Sequence, residues 1–164
     1  MNSEQIQFNN HQLILRVKQP SIFVLIFSFG FATFFTLFPI AILILISSLN
    51  NGENPIKFLT IFFLSIPFFF GLFLFRISIW NYLGKEIYNF NDDKINFIAD
   101  FGYFKDGKRE ISSENIQFQI IPKGYENENK GVLVINSNEE IIESVVKIPN
   151  SELEKLVLNL KSKF

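Results

Sequence analysis

Few side chains in this 164-residue chain belong to the types that carry out covalent or metal chemistry. There is no cysteine, which excludes thiolate ligands, a cysteine nucleophile, disulfides and palmitoylation. The single histidine is His11, so a histidine metal site or a Ser-His-Asp triad would have to be built on it alone. No glycine-rich phosphate loop and no His-Glu-x-x-His or Gly-x-Ser-x-Gly motif occurs. We therefore expect no catalytic, cofactor or metal site, and we interpret the chain as a non-enzyme.

Acidic residues occur in pairs that could in principle act as an acid and a base. Asp92-Asp93 and Glu139-Glu140 are such pairs, and both fall where a turn or a strand edge is expected. Asp and Asn favour turns for backbone reasons, so a solvated turn is the preferred interpretation of each pair. Glu126 and Glu128 could ligate a cation weakly, but a solvated loop is again preferred.

One small basic cluster is a candidate contact surface. Lys105, Lys108 and Arg109 lie close together, but Asp106 interrupts them and Glu110 follows. A typical patch for anionic lipid holds about four to eight basic residues, so this one is weak. The three are candidate contacts to lipid or to a protein partner. The net charge of −1 argues against nucleic acid as a partner.

The first half of the chain is dominated by two apolar runs. No charged residue occurs from Ser21 to Gly52. About 20 apolar residues cross a bilayer, whereas the apolar part of a signal peptide has roughly 7–15. A turn-forming stretch at 50–55 leads to a second run from about Ile56 to Trp80. We predict a two-helix transmembrane hairpin within residues 20–83, with spans at about 21–49 and 56–80, and the lipid bilayer as a partner.

Basic residues beside the runs predict the orientation. Arg16 and Lys18 precede the first run, Arg76 and Lys85 lie at the end of the second, and the connecting loop has only Lys57. Lys and Arg are enriched on the cytoplasmic side of membrane proteins, so both termini are expected there. The abundance of Phe, Ile, Asn and Lys suggests a bacterium with AT-rich DNA. The predicted location is the bacterial cytoplasmic (inner) membrane.

Three residues are predicted to anchor the second span at the membrane interface. Arg76 is interpreted as a snorkelling side chain in preference to a functional intramembrane charge. Trp80 and Tyr82 follow and are typical of an interfacial aromatic belt. No Asp, Glu, Lys or His lies deep in either run, which argues against an ion-coupled transporter.

The remainder of the chain predicts an α+β domain of about six antiparallel strands. Asp106-Gly107 is interpreted as the turn of a tight hairpin, because Asp-Gly suits a type I′ turn. The other strands are expected at Glu86–Phe90, Lys94–Ala99, Ile116–Ile121, Val132–Ile135 and Ile141–Ile148.

An amphipathic helix is expected to end the domain. Ser151 and Glu154 fit a capping box. Apolar residues then recur at helical spacing and are Leu153, Leu156, Val157, Leu160 and Phe164. Near the other terminus, Gln12 to Lys18 alternates and could add a seventh strand, which would make the hairpin an insertion. We therefore divide the chain into an N-terminal segment 1–19, the hairpin 20–83 and the domain 84–164.

Six to seven strands closed by one helix resemble the pleckstrin-homology (PH)-like fold, and the chain resembles bacterial PH-like domain membrane proteins. It also resembles the photosystem I assembly factor family. That second resemblance lies in Trp80-Asn81, Gly84, Tyr88-Asn89-Phe90, Gly102 and Asn115-Ile116. The resemblance implies a scaffold or assembly role at the cytoplasmic face, with a membrane protein as partner.

Three functions stay open at this point. The first is a non-catalytic scaffold whose PH-like domain binds a protein. The second is a lipid-headgroup sensor that uses Lys105, Lys108 and Arg109. The third is an immunity-type protein that neutralises a membrane-targeting toxin.

Overall fold

The computed structural model describes residues 3–9, 11–49, 58–124, 128–137 and 140–164. The chain divides into two compact units. The helical unit is Gln19–Tyr82, and the sheet unit combines Met1–Lys18 with Leu83–Phe164. The predicted turn at 50–55, Lys57, Glu126 and Glu139 lie outside the described residues.

Two long helices make up the helical unit. They are α1 (Ile22–Leu49) and α2 (Phe58–Leu83), of 28 and 26 residues. Both are long and apolar enough to cross a membrane. Their apolar side chains are mostly uncovered by protein; Phe23, for example, is 74% exposed and Phe58 is 82% exposed. The core helix of a soluble protein would be mostly buried, so this exposure agrees with the predicted hairpin.

Small residues and phenylalanine rings form the contact between α1 and α2. Gly71 of α2 lies directly against Thr36 of α1. The ring centroids of Phe35 and Phe70 are 5.2 Å apart, and those of Phe29 and Phe75 are 6.3 Å apart. Inside a bilayer the hydrophobic effect does not drive helices together, so association depends on close packing. Small residues at the contact let the two backbones approach closely.

Nine strands and a helix are described in the sheet unit. They are β1 (Ile6–Asn9), β2 (Gln12–Arg16), β3 (Lys85–Phe90), β4 (Lys94–Asp100), β5 (Lys105–Ser112), β6 (Gln117–Pro122), β7 (Lys130–Ser137), β8 (Glu140–Glu143), β9 (Ile148–Pro149) and α3 (Asn150–Lys161).

The predicted single sheet of six to seven strands closed by the helix is wrong. The described strands form two open antiparallel sheets, a five-stranded one in the order β1-β2-β3-β4-β5 and a four-stranded one in which β7 pairs with β6, β8 and β9. The break falls between β5 and β6. Asn115 there has a φ of 54°, a left-handed conformation that turns the chain, and β6 pairs with β7 instead of β5. The antiparallel pairing and the C-terminal helix agree with the prediction.

The N-terminal segment belongs to the five-stranded sheet. β2 pairs with β3, with Leu13 opposite Tyr88 and Leu15 opposite Glu86. The helical unit is therefore inserted between two neighbouring strands. β1, which sequence reasoning missed, pairs with the outer edge of β2.

The Asp106-Gly107 hairpin is also wrong. Both residues lie inside β5, where the register against β4 shifts between Phe97 and Ala99. Gly107 has a φ of 65°, which matches the glycine of a bulge that adds one residue to one strand. The real turn lies earlier, at Phe101–Phe104, where Gly102 has a φ of 88° and its N–H donates to the Asp100 side chain at 2.8 Å.

Two further predictions near the C-terminus are corrected. The predicted strand Ile141–Ile148 is split into β8 and β9, because the buried Ser144 side chain accepts the Leu133 N–H at 2.9 Å and interrupts the ladder. The capping box is absent: α3 begins at Asn150 after Pro149, with no side-chain cap at its start.

Side chains of both sheets and α3 share one core. Phe90 of β3 and Phe118 of β6 lie with ring centroids 6.3 Å apart. Leu153, Leu156 and Leu160 of the predicted helix stripe are fully buried, as predicted, whereas Phe164 lies beyond the end of α3 and is 51% exposed. Each such leucine contributes about 1.5–3 kcal/mol of transfer free energy, so α3 is a main stabiliser of the sheet unit.

Candidate functional site

The outer edges of the two sheets face a shared groove in the sheet unit. Its volume is about 350 Å³. We call it the edge groove; it is lined by Arg109, Glu110 and Ile111 of β5 and Glu140, Ile141 and Ile142 of β8. Within the described part of the chain, no strand pairs with the outer side of β5 or of β8. Both edges therefore present backbone N–H and C=O groups to a potential ligand.

The chemistry of the edge groove is mixed. Ile141 is 58% exposed, whereas its neighbour Ile142 is buried, as expected for alternating faces of a strand. Val145, just beyond β8, is 67% exposed. An arginine and two glutamates lie beside these apolar side chains. The groove thus offers apolar side chains, charges of both signs and backbone N–H and C=O groups at the two strand edges. These are the contacts that bind an extended peptide added to a sheet edge.

The structure does not gather the predicted basic cluster into one patch. Lys108 pairs with Glu110 at 2.8 Å, and Glu110 lies 3.7 Å from Lys94. The hydrogen bond to Glu110 and the charge of that carboxylate raise the pKa of Lys108. Arg109 lines the edge groove. Lys105 lies at the beginning of β5, opposite Asp100. A lipid headgroup would therefore meet Lys108 with its charge balanced by Glu110. Arg109 and Lys105 have different neighbours, so the three residues do not form one basic surface.

The predicted anchors lie on the last turns of α2. Arg76 and Tyr82 are exposed, and Trp80 is half-buried. The Tyr82 carbonyl accepts a hydrogen bond from the Gln19 side chain at 3.3 Å, which ties the entry to α1 to the end of α2.

A second cleft, of about 590 Å³, lies beside the turn between β3 and β4. Its lining includes His11, Asp92 and Ser113, the residue types of a hydrolase triad. The Ser113 hydroxyl, however, donates to the backbone carbonyl of Asp92. Because that proton is directed at a main-chain oxygen, the arrangement does not activate Ser113 as a nucleophile.

Sequence reasoning missed a buried carboxyl group, Glu86, on the core face of β3. It is fully buried, and the Val145 N–H donates to its Oε1 at 2.6 Å while the Tyr88 hydroxyl donates to its Oε2 at 3.1 Å. Burial raises the pKa of Glu86 to about 7, against the opposing effect of these hydrogen bonds. In the sequence, Glu86 shares the two-residue spacing of Tyr88 and Phe90, which predicts that all three side chains lie on the same buried face of the strand.

Glu86 connects the two sheets. It belongs to β3 of the five-stranded sheet, whereas Val145 lies between β8 and β9 of the other. This hydrogen bond holds the two sheets together, and its environment changes when the Glu86 carboxyl group ionises. Among the residues that the structure describes, no group of three or more His, Cys, Asp or Glu side chains could hold a metal ion.

Comparison of the chain with protein-family models, with curated proteins and with solved structures found no match in any of the three.

Proposed function

We propose that this chain is a non-catalytic scaffold or assembly protein of the bacterial cytoplasmic membrane. In this proposal α1 and α2 span the bilayer, both termini are cytoplasmic, and the sheet unit binds a membrane protein partner. The pairing of β2 with β3 supports a shared side for the two termini, because strands on opposite sides of a membrane cannot pair. The basic residues Arg16, Lys18 and Lys85 beside the helices favour the cytoplasm for that side.

The edge groove is the observation that carries the binding function. Its two borders are sheet edges, and an extended segment of a partner can add to either edge through main-chain hydrogen bonds. Ile141 offers an apolar contact at the rim, and Arg109 and Glu140 offer charged ones. We propose that the ligand is an extended peptide segment of the partner, which binds along β5 or β8.

Site-specific photocrosslinking in intact cells tests the groove. A photoreactive amino acid at Ile141 should give one dominant protein adduct, while the same group at Leu158 should not. Leu158 is the matched control because it is 69% exposed and lies on α3, away from the groove. Equal adducts at both positions, or no adduct at Ile141, would contradict the proposal.

Charge substitution provides the quantitative counterpart. Ile141→Lys should reduce co-purification of the crosslinked protein about five- to thirtyfold, since losing an apolar contact at an interface costs on the order of 1–2 kcal/mol. Leu158→Lys should leave it unchanged. Because both side chains are exposed, neither change should unfold the sheet unit.

The structure favours the lipid-sensor alternative less, since Lys108 is paired and the basic cluster is divided. The PH-like resemblance stays a prediction from the sequence and does not enter this argument.

A further inference from the structure

The turn between β4 and β5 carries the most exposed aromatic side chain described in the sheet unit. Tyr103 is 81% exposed and its neighbour Phe104 is 38% exposed. Neither residue lines the edge groove or the second cleft. Single exposed apolar residues are common on protein surfaces, so the surroundings of this turn decide whether Tyr103 contacts something outside the unit.

This turn is held in a fixed shape. The Phe101 N–H donates to the Phe104 carbonyl at 2.9 Å, and the two rings stack with centroids 4.5 Å apart at 13°. The Gly102 N–H is held by Asp100. These contacts fix the backbone of the turn and the rings of Phe101 and Phe104, which lowers the entropic cost of ordering the turn on binding.

The turn lies at the end of the five-stranded sheet from which the chain leaves for the two helices. Arg16 ends β2, Lys85 begins β3, and the register places Lys85 opposite Asp100 and Asp100 opposite Lys105. Both connections to the helical unit therefore start from this end. Leu83 is the last residue of α2, so one residue, Gly84, separates the helix from β3.

The turn packs against Leu83, which belongs to the sheet unit. A Cβ atom added to Gly102 would meet the Leu83 Cδ1 atom at 2.8 Å. In the proposed membrane topology the chain leaves the bilayer near Leu83, so the turn that contacts this residue is within reach of the headgroup region.

The side chains at this end suit that region. Tyr combines an apolar ring with a hydroxyl that stays hydrated, which is why it is enriched at membrane interfaces. The exposed Lys105 lies beside the turn and favours the anionic cytoplasmic leaflet, whereas the charge of Lys85 is balanced by Asp100 at 3.3 Å.

We propose that Tyr103 and Phe104 insert into the interfacial layer of the same membrane that α1 and α2 cross. This contact gives the sheet unit a third attachment, besides its two covalent connections, and fixes which side of the unit faces the lipid. The inference rests on the proposed membrane insertion of the two helices. It assigns Tyr103 and Phe104 to an anchor that is separate from Arg76, Trp80 and Tyr82 on α2.

Tryptophan fluorescence of the full chain in vesicles of phosphatidylethanolamine and phosphatidylglycerol tests the proposal. Trp80 is the only tryptophan, so Trp80→Phe gives a silent background. Into it we would place Tyr103→Trp, the exposed control Leu158→Trp and the mid-helix control Phe69→Trp. Lipids brominated near the headgroup or near the chain end then report depth by quenching.

The expected pattern differs at the three positions. Tyr103→Trp should be quenched more by shallow bromines, Phe69→Trp more by deep ones, and Leu158→Trp by neither. Quenching of Phe69→Trp with none at Tyr103→Trp would overturn the anchor and leave membrane insertion intact. Absence of quenching at Phe69→Trp would overturn insertion itself, and the anchor with it.

Discussion

Gly71→Ala should weaken the packing of α1 against α2, whereas Gly30→Ala should leave it intact. A Cβ atom at position 71 would lie 2.6 Å from the Thr36 backbone nitrogen and 2.9 Å from the Phe35 carbonyl carbon. Both are backbone atoms that cannot move without shifting α1. Overpacking of this kind costs typically about 1–3 kcal/mol. At position 30 nothing lies within 4 Å of the new atom, which makes it the matched control.

Crosslinking of engineered cysteines with a short bismaleimide can measure this effect, because the chain has no cysteine of its own. Phe29→Cys with Phe75→Cys places one thiol on each helix at a point where the two rings now meet. We expect Gly71→Ala to lower the fraction that crosslinks at least about fivefold, as a change of 1 kcal/mol or more implies. If both glycine variants crosslink like the parent, the close contact between the helices does not exist.

The stability of the sheet unit should fall as the pH rises from 5 to 8, and Glu86→Gln should remove most of that fall. The folded-state pKa of Glu86 is raised to about 7 from 4.5, chiefly by burial. A carboxyl group with a raised pKa binds its proton more tightly in the folded state. Its contribution is therefore complete below pH 4.5 and is lost as the pH rises through 7. The full shift corresponds to about 3 kcal/mol.

Urea unfolding of the full chain in detergent at pH 5 and pH 8 would test this. A His11→Asn background removes the one histidine of the chain. Glu86→Gln keeps an oxygen that accepts the Val145 N–H, so the readout is the pH slope of the unfolding free energy. Glu110→Gln is the control, since its hydrogen bond to Lys108 lowers the pKa of Glu110 and places its titration below the window. A slope unchanged by Glu86→Gln would show that another group is responsible.

Local patterns in the sequence were sufficient for the helices but not for the sheets. The uncharged run from Ser21 and the helical spacing of Leu153, Leu156 and Leu160 each reflect one side of one element, and both predictions agree with the structure. Asp106-Gly107 failed because a glycine with positive φ serves a turn and a bulge equally well. Which one forms depends on how β5 aligns with β4, and no short window contains that information.

The candidate site shows the same limit. The charge of Arg109 marks it as a candidate contact in the sequence, yet its position in the edge groove depends on where β8 lies. Glu86 alternates with Tyr88 and Phe90, so a carboxyl group on an apolar strand face was visible in the sequence. Its hydrogen bond to Val145, 59 residues away, was not. Contacts between distant segments decide both cases.

Labelling of single cysteines from each side of the native membrane tests the central claim, a two-span protein with its sheet unit on one side. Asn9→Cys in β1 and Leu158→Cys in α3 are exposed reporters of the sheet unit, and Asn51→Cys reports the loop between the spans. A membrane-impermeant maleimide should label Asn51→Cys in intact spheroplasts, and the other two only after permeabilisation. Labelling of Asn9→Cys and Leu158→Cys from opposite sides, or of all three without permeabilisation, would contradict the account.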